Sequence, residues 1–248
     1  MTPPPRVLTI AGSDSSAGAG LQADLITITA EGCRGATVVT AVTAQGPRGV
    51  DGWESVPLDL VRRQLVIALD ELHPAAMKTG MLGTEAIIRL VVEELSRRKH
   101  APLVCDPVAV ATSGHSLVQD GALDAMRSGL FPRAALLTPN ATEAAALTGR
   151  PVRTPEEAEA AGRKLLESGC QAVLVKGGHL TESPGTDVLV THDGSRVFTA
   201  EAIDTPGVHG TGCVLSAAIA SGLARGESLE DAVAGGKRRV TAWIRERA

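Results

Sequence analysis

Aromatic side chains are scarce in this sequence. The 248 residues include two Trp, two Phe and no Tyr, so aromatics make up 2% of the chain although hydrophobic residues reach 44%. The core must therefore be built from Val, Leu, Ile and Ala. Single-stranded nucleic acids are bound largely by stacking on aromatic rings, and phosphate backbones attract an excess of basic residues. With few rings and a formal charge of −4, we expect no nucleic-acid partner.

Paired cysteines, clustered histidines and long apolar runs are also missing. The four cysteines (Cys33, Cys105, Cys170 and Cys213) form no C-x-x-C pair, and the six histidines show no H-x-x-x-H spacing. These absences argue against a disulfide framework and against the common zinc arrangements. No segment approaches the roughly 18 apolar residues of a membrane span, and the first apolar run is too short for a signal peptide. We expect a cytoplasmic protein without a membrane partner.

Short β-branched runs alternate with amphipathic helical patterns along the chain. This order is typical of a mostly parallel sheet covered by helices on both faces, an α/β fold with three α/β/α layers. We find no linker, repeat or low-complexity segment, so residues 1–248 are expected to form one domain. The strands are predicted at 7–11, 36–44, 75–78, 102–106, 134–138 and 171–176.

Helix starts are marked by capping residues. Thr84 is a plausible N-cap, Thr154 begins a capping box with Pro at the first helical position, and Ser228 pairs with Asp231 at the last helix. Other helices are expected from about Ala19, from Leu58, and from about 212 to 224. Asp193-Gly194 between two apolar runs predicts a hairpin and hence a small antiparallel edge.

Polar residues that could do chemistry follow the ends of the predicted strands. In an open α/β sheet, the carboxyl ends of the parallel strands share one edge, where ligands bind. Each residue alone is a weak signal, whereas their joint placement predicts one polar crevice. The residues concerned are Asp14, Gln45, Lys78, Met81, Asp106, Asn140, Glu143 and Lys176.

A first glycine-rich loop, residues 12–20, connects a strand to a helix. Its G-A-G-L-Q-A segment is close to the dinucleotide fingerprint. That fingerprint requires an acidic residue about 20 positions later, at the end of the second strand, and this chain has Thr43, Ala44 and Gln45 there. We therefore interpret the loop, beginning at Gly12, as a backbone wall beside a small substrate, or else as a flexible turn. A P-loop is absent, because Gly235-Gly236-Lys237 lies within a helical pattern.

A second glycine-rich segment runs through Gly207, Gly210 and Gly212 directly into a helix. Backbone N–H groups at such a junction form an anion site suited to a phosphate. Cys213 stands at the helix start, where the dipole should lower the thiol pKa to about 7. The alternative is a small core residue, which is the reading we favour for the other three cysteines.

Several motifs occur in a fixed order: TIAGSD, GAGLQADL, TAVTAQ, KTGML, DPV with TSG, TPNATEA, VKGGHL and HGTGC. With them the sequence resembles the hydroxymethylpyrimidine and phosphomethylpyrimidine kinases of thiamine biosynthesis, members of the ribokinase-like superfamily. The resemblance covers about Val7 to the last helix. It implies an open sheet of about eight mostly parallel strands, ATP with Mg²⁺ as phosphoryl donor, a pyrimidine with a CH₂OH or CH₂OPO₃ group as acceptor, and a homodimer.

The resemblance also implies roles for individual residues. Asp24 and Gln45 match polar contacts to the pyrimidine, and Met81 matches its apolar cover. Cys213 matches the catalytic base that takes the acceptor's proton. The remaining matches are the anion hole (Gly210, Thr211 and Gly212), the magnesium- and phosphate-ordering set (Asp106, Asn140 and Glu143), and the charge partners of phosphates (Lys176 and Lys237).

The sequence departs from the family pattern around the acceptor. Ser15 stands where Pro is usual, Ala17 where Gly is frequent, Gly46 where Asn is common, Ala109 where Met is frequent, and Gly207-Val208 where Asn-Thr is usual. Two alternatives therefore stay open, a pyridoxal or pyridoxine kinase and a non-catalytic pyrimidine-binding module. Gln45 and Met81 favour the pyrimidine, and the joint presence of Lys176, Glu143 and Cys213 favours an enzyme.

Overall fold

The computed structural model describes residues 3–46, 49–99, 101–108, 117–178, 180, 183–201, 203 and 208–247. Within these residues, one sheet contains nine strands. They are β1 (Arg6–Asp14), β2 (Arg34–Gly46), β3 (Gly49–Ser55), β4 (Ala76–Thr79), β5 (Leu103–Cys105), β6 (Leu136–Leu137), β7 (Ala172–Val175), β8 (Thr186–Thr191) and β9 (Ser195–Thr199).

The strand order across the sheet is β3-β2-β1-β4-β5-β6-β7-β8-β9. The central strands β2, β1, β4, β5, β6 and β7 pair in parallel. The predicted hairpin is present, since β7, β8 and β9 pair antiparallel at one edge. At the other edge, β3 pairs antiparallel with β2. The predicted α/β class with a mostly parallel sheet is confirmed, but β3 was not predicted.

Eight α-helices cover the sheet in the described part of the chain. Helices α1 (Gly20–Ala30), α7 (Thr211–Ala224) and α8 (Leu229–Arg245) pack on one face. The opposite face carries α2 (Leu58–Asp70), α3 (Glu85–Ser96), α4 (Ala122–Ala125), α5 (Ala141–Thr148) and α6 (Pro155–Leu166). A π-helical turn and a 3₁₀ turn over Met126–Leu130 and Phe131–Arg133 extend α4.

The side chains of β1 point alternately into the two hydrophobic cores, one on each face of the sheet. Val7 packs with the layer of α1, α7 and α8, while Leu8 and Ile10 pack with α2 to α6. Successive side chains of a strand point to opposite faces, so a strand covered on both faces is apolar throughout. Cys33, Cys105 and Cys170 are buried, in agreement with their predicted core role.

The predicted caps are present at three helices. Thr84 Oγ1 accepts a hydrogen bond from the Ile87 amide, Thr154 Oγ1 from that of Glu157, and Ser228 Oγ from that of Asp231. Each cap satisfies one backbone N–H that has no partner inside the helix. Among the described residues, no helix combines the length and apolar character needed to cross a membrane.

Candidate functional site

A cavity of about 700 Å³ opens at the carboxyl ends of the parallel strands. Its volume is in the usual range for small-molecule sites. It brings together all but one of the residues that we predicted for the site. These are Gly12, Asp14, Gln45, Lys78, Met81, Asp106, Asn140, Glu143, Lys176, Gly210, Thr211, Gly212, Cys213 and Lys237.

Asp24 is the residue that the structure places elsewhere. Its side chain is fully buried, and its carboxylate accepts hydrogen bonds from Thr9 Oγ1 at 2.5 Å and from Lys78 Nζ at 2.9 and 3.0 Å. Burial alone would lower the pKa of Lys78, but the facing Asp24 carboxylate outweighs burial and raises it. Asp24 therefore has no exposed surface in the cavity, and the structure does not place it where the predicted contact with the pyrimidine requires it.

The first glycine-rich loop folds around the carboxylate of Asp14. Oδ1 accepts hydrogen bonds from the backbone N–H and the hydroxyl of Ser16, both at 2.8 Å, and Oδ2 accepts one from the Ala19 N–H at 2.7 Å. Burial would raise the pKa of Asp14, but these hydrogen bonds outweigh burial and lower it. Asp14 is therefore an ionised acceptor that holds the loop in shape.

The second glycine-rich segment leads into the N-terminus of α7. Gly210 has φ +82°, and a Cβ there would lie 2.0 Å from the carbonyl oxygen of Gly18. The two loops thus touch, and only glycine fits at the contact. A Cβ on Gly212 would lie 3.1 Å from Lys176 Nζ and 3.4 Å from Asp106 Oδ2. The N-terminus of α7 at Gly212 therefore borders the same space as a lysine and a carboxylate.

Cys213 lies in the first turn of α7 and lines the cavity. Burial raises the pKa of its thiol to about 11, although Lys78 and a hydrogen bond from the Gly20 amide favour the thiolate. The predicted pKa near 7 is wrong, because removal of the sulfur from water outweighs the helix terminus. The free protein therefore carries a protonated thiol here at neutral pH.

Two carboxylates and a lysine lie together near the N-terminus of α7. Lys176 Nζ donates to Asp106 Oδ1 at 2.7 Å and is 4.0 Å from Glu143 Oε2. Glu143 and Asn140 form a capping box at α5, with reciprocal hydrogen bonds of 2.7 and 2.8 Å. Burial raises the pKa of Glu143 to about 7 in spite of Lys176.

The described residues contain no group of three His, Cys, Asp or Glu side chains that could hold a metal ion. Mg²⁺ is usually held by only one or two carboxylates, together with water and substrate phosphates. Asp106 and Glu143 provide two carboxylates on one wall of the cavity. The residues present therefore fit Mg²⁺ bound with a phosphorylated substrate and do not form a closed metal cage.

Two residues that line the cavity were missed in the sequence. Asp187 in β8 accepts hydrogen bonds from Lys237 Nζ and from the Gly177 N–H, at 2.7 and 2.8 Å. His209 lies against Gln45 and Asp14. Nothing in a hairpin strand marked Asp187 as functional, and in HGTGC we considered the glycines and the cysteine but not the histidine.

Ala109 and Gly207, two of the departures from the family pattern, lie outside the described residues.

Comparisons of sequence connect this chain with known kinases. The model of the family described as phosphomethylpyrimidine kinase matches residues 14–248. A hydroxymethylpyrimidine/phosphomethylpyrimidine kinase from Streptomyces coelicolor is 42% identical over 97% of this chain and 89% of its own length. The thiamine biosynthesis bifunctional protein ThiED of Geobacter sulfurreducens is 42% identical over 96% of this chain, which spans 49% of that larger protein.

Solved structures of two kinases are also similar to this chain. The crystal structure of a phosphomethylpyrimidine kinase from Clostridium difficile has a TM-score of 0.87 at 37% identity, over 97% of this chain and 99% of the other. The structure of a pyridoxal kinase from Staphylococcus aureus, in complex with AMP-PCP and pyridoxal, has a TM-score of 0.87 at 34% identity. It covers 96% of this chain and 87% of the other.

Proposed function

The chain belongs to the phosphomethylpyrimidine kinase family, and we therefore propose that it phosphorylates 4-amino-5-hydroxymethyl-2-methylpyrimidine and then its monophosphate in thiamine diphosphate biosynthesis. As a member of this family it is an ATP-dependent kinase. The observation that carries the assignment of the site is the meeting of the α7 N-terminus with Lys176 and Asp106 around Gly212. Phosphoryl transfer depends mainly on positioning and on stabilisation of charge, and these groups supply both.

Lys176, Lys237 and Asn140 are assigned to the ATP side of the cavity. Lys176 and Lys237 are held by Asp106 and Asp187, so their ammonium groups are fixed in position before nucleotide arrives. Asp106 and Glu143 would hold Mg²⁺, which neutralises charge on the phosphates when bound. The Gly210, Thr211 and Gly212 amides would bind the transferring phosphoryl group.

Cys213 is assigned as the base that takes the proton of the acceptor's hydroxyl group. Because only the thiolate can accept a proton, the raised pKa means that a small fraction of the free protein is ready to react at neutral pH. The acceptor oxygen becomes more acidic as its bond to phosphorus forms. Proton transfer that occurs late in the reaction therefore needs only a modest base.

The acceptor side of the cavity is formed by Gln45, Met81 and Gly12. A Cβ on Gly12 would lie 3.2 Å from Met81 Sδ, so glycine leaves room for the methionine beside the loop. Gln45 is the polar residue that we assign to hydrogen-bond with the edge of the acceptor ring. Because Asp24 has no exposed surface in the cavity, we assign the polar recognition of the acceptor mainly to Gln45.

Pyridoxal is the second candidate acceptor. The similarity to the Staphylococcus aureus pyridoxal kinase and the departures around Ser15 and Gly46 both favour testing it. ADP release should be measured with ATP and Mg²⁺ and equal concentrations of hydroxymethylpyrimidine, its monophosphate or pyridoxal. We expect the two pyrimidines to be turned over with the higher kcat/KM. A higher kcat/KM for pyridoxal would overturn the assignment, and binding of the pyrimidine without ADP release would indicate a non-catalytic module.

We further propose a cytoplasmic homodimer. Large apolar side chains are exposed on α1, β2 and α2, and burying such surface stabilises an association of two chains. They include Ile26, Val42, Leu58, Leu60 and Ile67. Sedimentation equilibrium should give twice the 25.5 kDa mass of one chain, and the mass of a single chain would contradict the dimer.

A further inference from the structure

His209 belongs to the second glycine-rich segment, packs against the first glycine-rich loop and has no role in the function described above. Its Nε2 atom is 2.6 Å from the terminal amide nitrogen of Gln45 and 3.2 Å from Asp14 Oδ2. A Cβ on Gly18 would lie 2.8 Å from the His209 ring, so the ring is packed against the first loop. His209 therefore contacts both a fixed carboxylate and the polar residue assigned to the acceptor.

Asp14 determines which ring nitrogen of His209 carries the hydrogen. The Asp14 carboxylate already accepts hydrogen bonds from Ser16 and Ala19, and as an ionised group it has no hydrogen to donate. An unprotonated Nε2 would place its lone pair against the Asp14 oxygen. The contact between His209 and Asp14 is favourable when Nε2 bears the hydrogen, which then points toward Asp14 and Gln45.

Thr43 determines which end of the Gln45 amide faces His209. The single hydroxyl hydrogen of Thr43 is used toward the carbonyl oxygen of Ser13, at 3.0 Å. In the structure Gln45 Oε1 lies 3.1 Å from Thr43 Oγ1 and would need that same hydrogen. With the hydrogen on the Ser13 side, the Thr43 oxygen is an acceptor, and the NH₂ end of the amide suits it better. A 180° turn of the amide, which exchanges O and N without moving the group, places its carbonyl oxygen at the Nε2–H of His209.

We propose that His209 is a positioning residue for the acceptor, which, held by Asp14, fixes the orientation of the Gln45 carboxamide. In this orientation the Thr43 hydroxyl, one N–H of the Gln45 amide and the Nε2–H of His209 each face an acceptor. The amide then presents one defined pattern of donor and acceptor to a ring. An aminopyrimidine offers an amino group beside a ring nitrogen, which such a fixed amide can distinguish from a pyridine without the amino group. The inference rests on the proposed function, since it takes Gln45 as an acceptor contact.

The test compares His209→Leu with His209→Gln. Leucine removes the donor, whereas the terminal NH₂ of glutamine can take the place of Nε2–H. One lost hydrogen bond corresponds to about a tenfold weaker interaction. For His209→Leu we expect the KM for hydroxymethylpyrimidine to rise about tenfold, with kcat and the KM for ATP nearly unchanged and a smaller change for pyridoxal. His209→Gln should restore most of the loss.

The matched control is His192→Leu, the same change at an exposed histidine in the turn between β8 and β9, which should leave all constants unchanged. Calorimetric binding of hydroxymethylpyrimidine should be measured in parallel, because it does not require turnover. A wild-type protein that binds the pyrimidine without phosphorylating it would overturn the proposed function alone. Unchanged pyrimidine affinity in His209→Leu, or equal losses of kcat, ATP affinity and thermal stability, would overturn the role of His209.

Discussion

At the residue scale, the pair of Lys78 and Asp24 shows how a charged group can be structural beside a reactive site. Both side chains are completely buried, and each ion has the other as its counter-charge. Removing one partner of such a pair leaves an unpaired charge in the core, which costs about 3–5 kcal/mol. Removing both leaves no buried charge, so the pair itself contributes much less than either single substitution indicates.

We predict that Asp24→Asn lowers the free energy of unfolding by about 3–5 kcal/mol and that Asp24→Asn combined with Lys78→Met recovers part of this loss. Urea unfolding of the single and double variants measures both. Asp59→Asn is the control, because its ion pair with Arg63 is exposed and should matter little. A loss below about 1 kcal/mol for Asp24→Asn would show that the buried pair is not needed.

The reactivity of the Cys213 thiol should depend on pH. Because burial raises its pKa to about 11, the thiolate fraction increases about tenfold per pH unit below that value. The rate of alkylation by iodoacetamide should therefore rise steadily from pH 6 to pH 9.5 without a plateau. Among the described cysteines the other three are buried, and Cys213→Ala should abolish this pH-dependent reaction. A plateau near pH 7 would contradict the raised pKa.

At the scale of elements, the N-terminus of α7 depends on a close approach of two loops. Gly210 has positive φ and touches the Gly18 carbonyl group, whereas Gly226, after α7, has φ +84° with open space around its Cβ position. The two glycines share the same backbone conformation but differ in their surroundings. Comparing them separates the cost of the conformation from the cost of the contact.

We predict that Gly226→Ala costs about 1–2 kcal/mol of stability through backbone strain alone and keeps the kinase activity. Gly210→Ala should cost more and should also abolish phosphoryl transfer, because the anion-binding amides are displaced. Urea unfolding and the ADP assay on both variants provide the test. Equal behaviour of the two variants would show that the contact between the loops has no role.

The strand β3 shows what local patterns miss. Its sequence GVDGWES contains few apolar residues, and of its side chains Val50 is fully buried. It becomes a strand because the long β2 offers hydrogen-bonding partners along its free edge. Helix caps such as Thr84 were predictable, since they depend on residues three positions apart. Pairing between distant segments was not predictable in this way.

At the scale of the whole molecule, the layered α/β fold and the convergence of polar residues followed from periodicity and from the position of residues after strands. The sheet order and the second antiparallel edge did not follow, because pairing is set by tertiary packing. Two departures from expectation at the site, at Asp24 and at Cys213, have the same physical cause, which is burial. Asp24 is fully buried and burial raises the pKa of the Cys213 thiol, and neither property can be predicted from spacing along the chain.

The role of Cys213 in phosphoryl transfer is the central claim. The most direct test is single-turnover phosphorylation of hydroxymethylpyrimidine by Cys213→Ala, with ATP affinity measured on the same preparation. We predict a loss of at least about 100-fold in the rate, unchanged ATP affinity, and partial recovery in Cys213→Asp. A Cys213→Ala variant that transfers the phosphoryl group at the wild-type rate would contradict the mechanism.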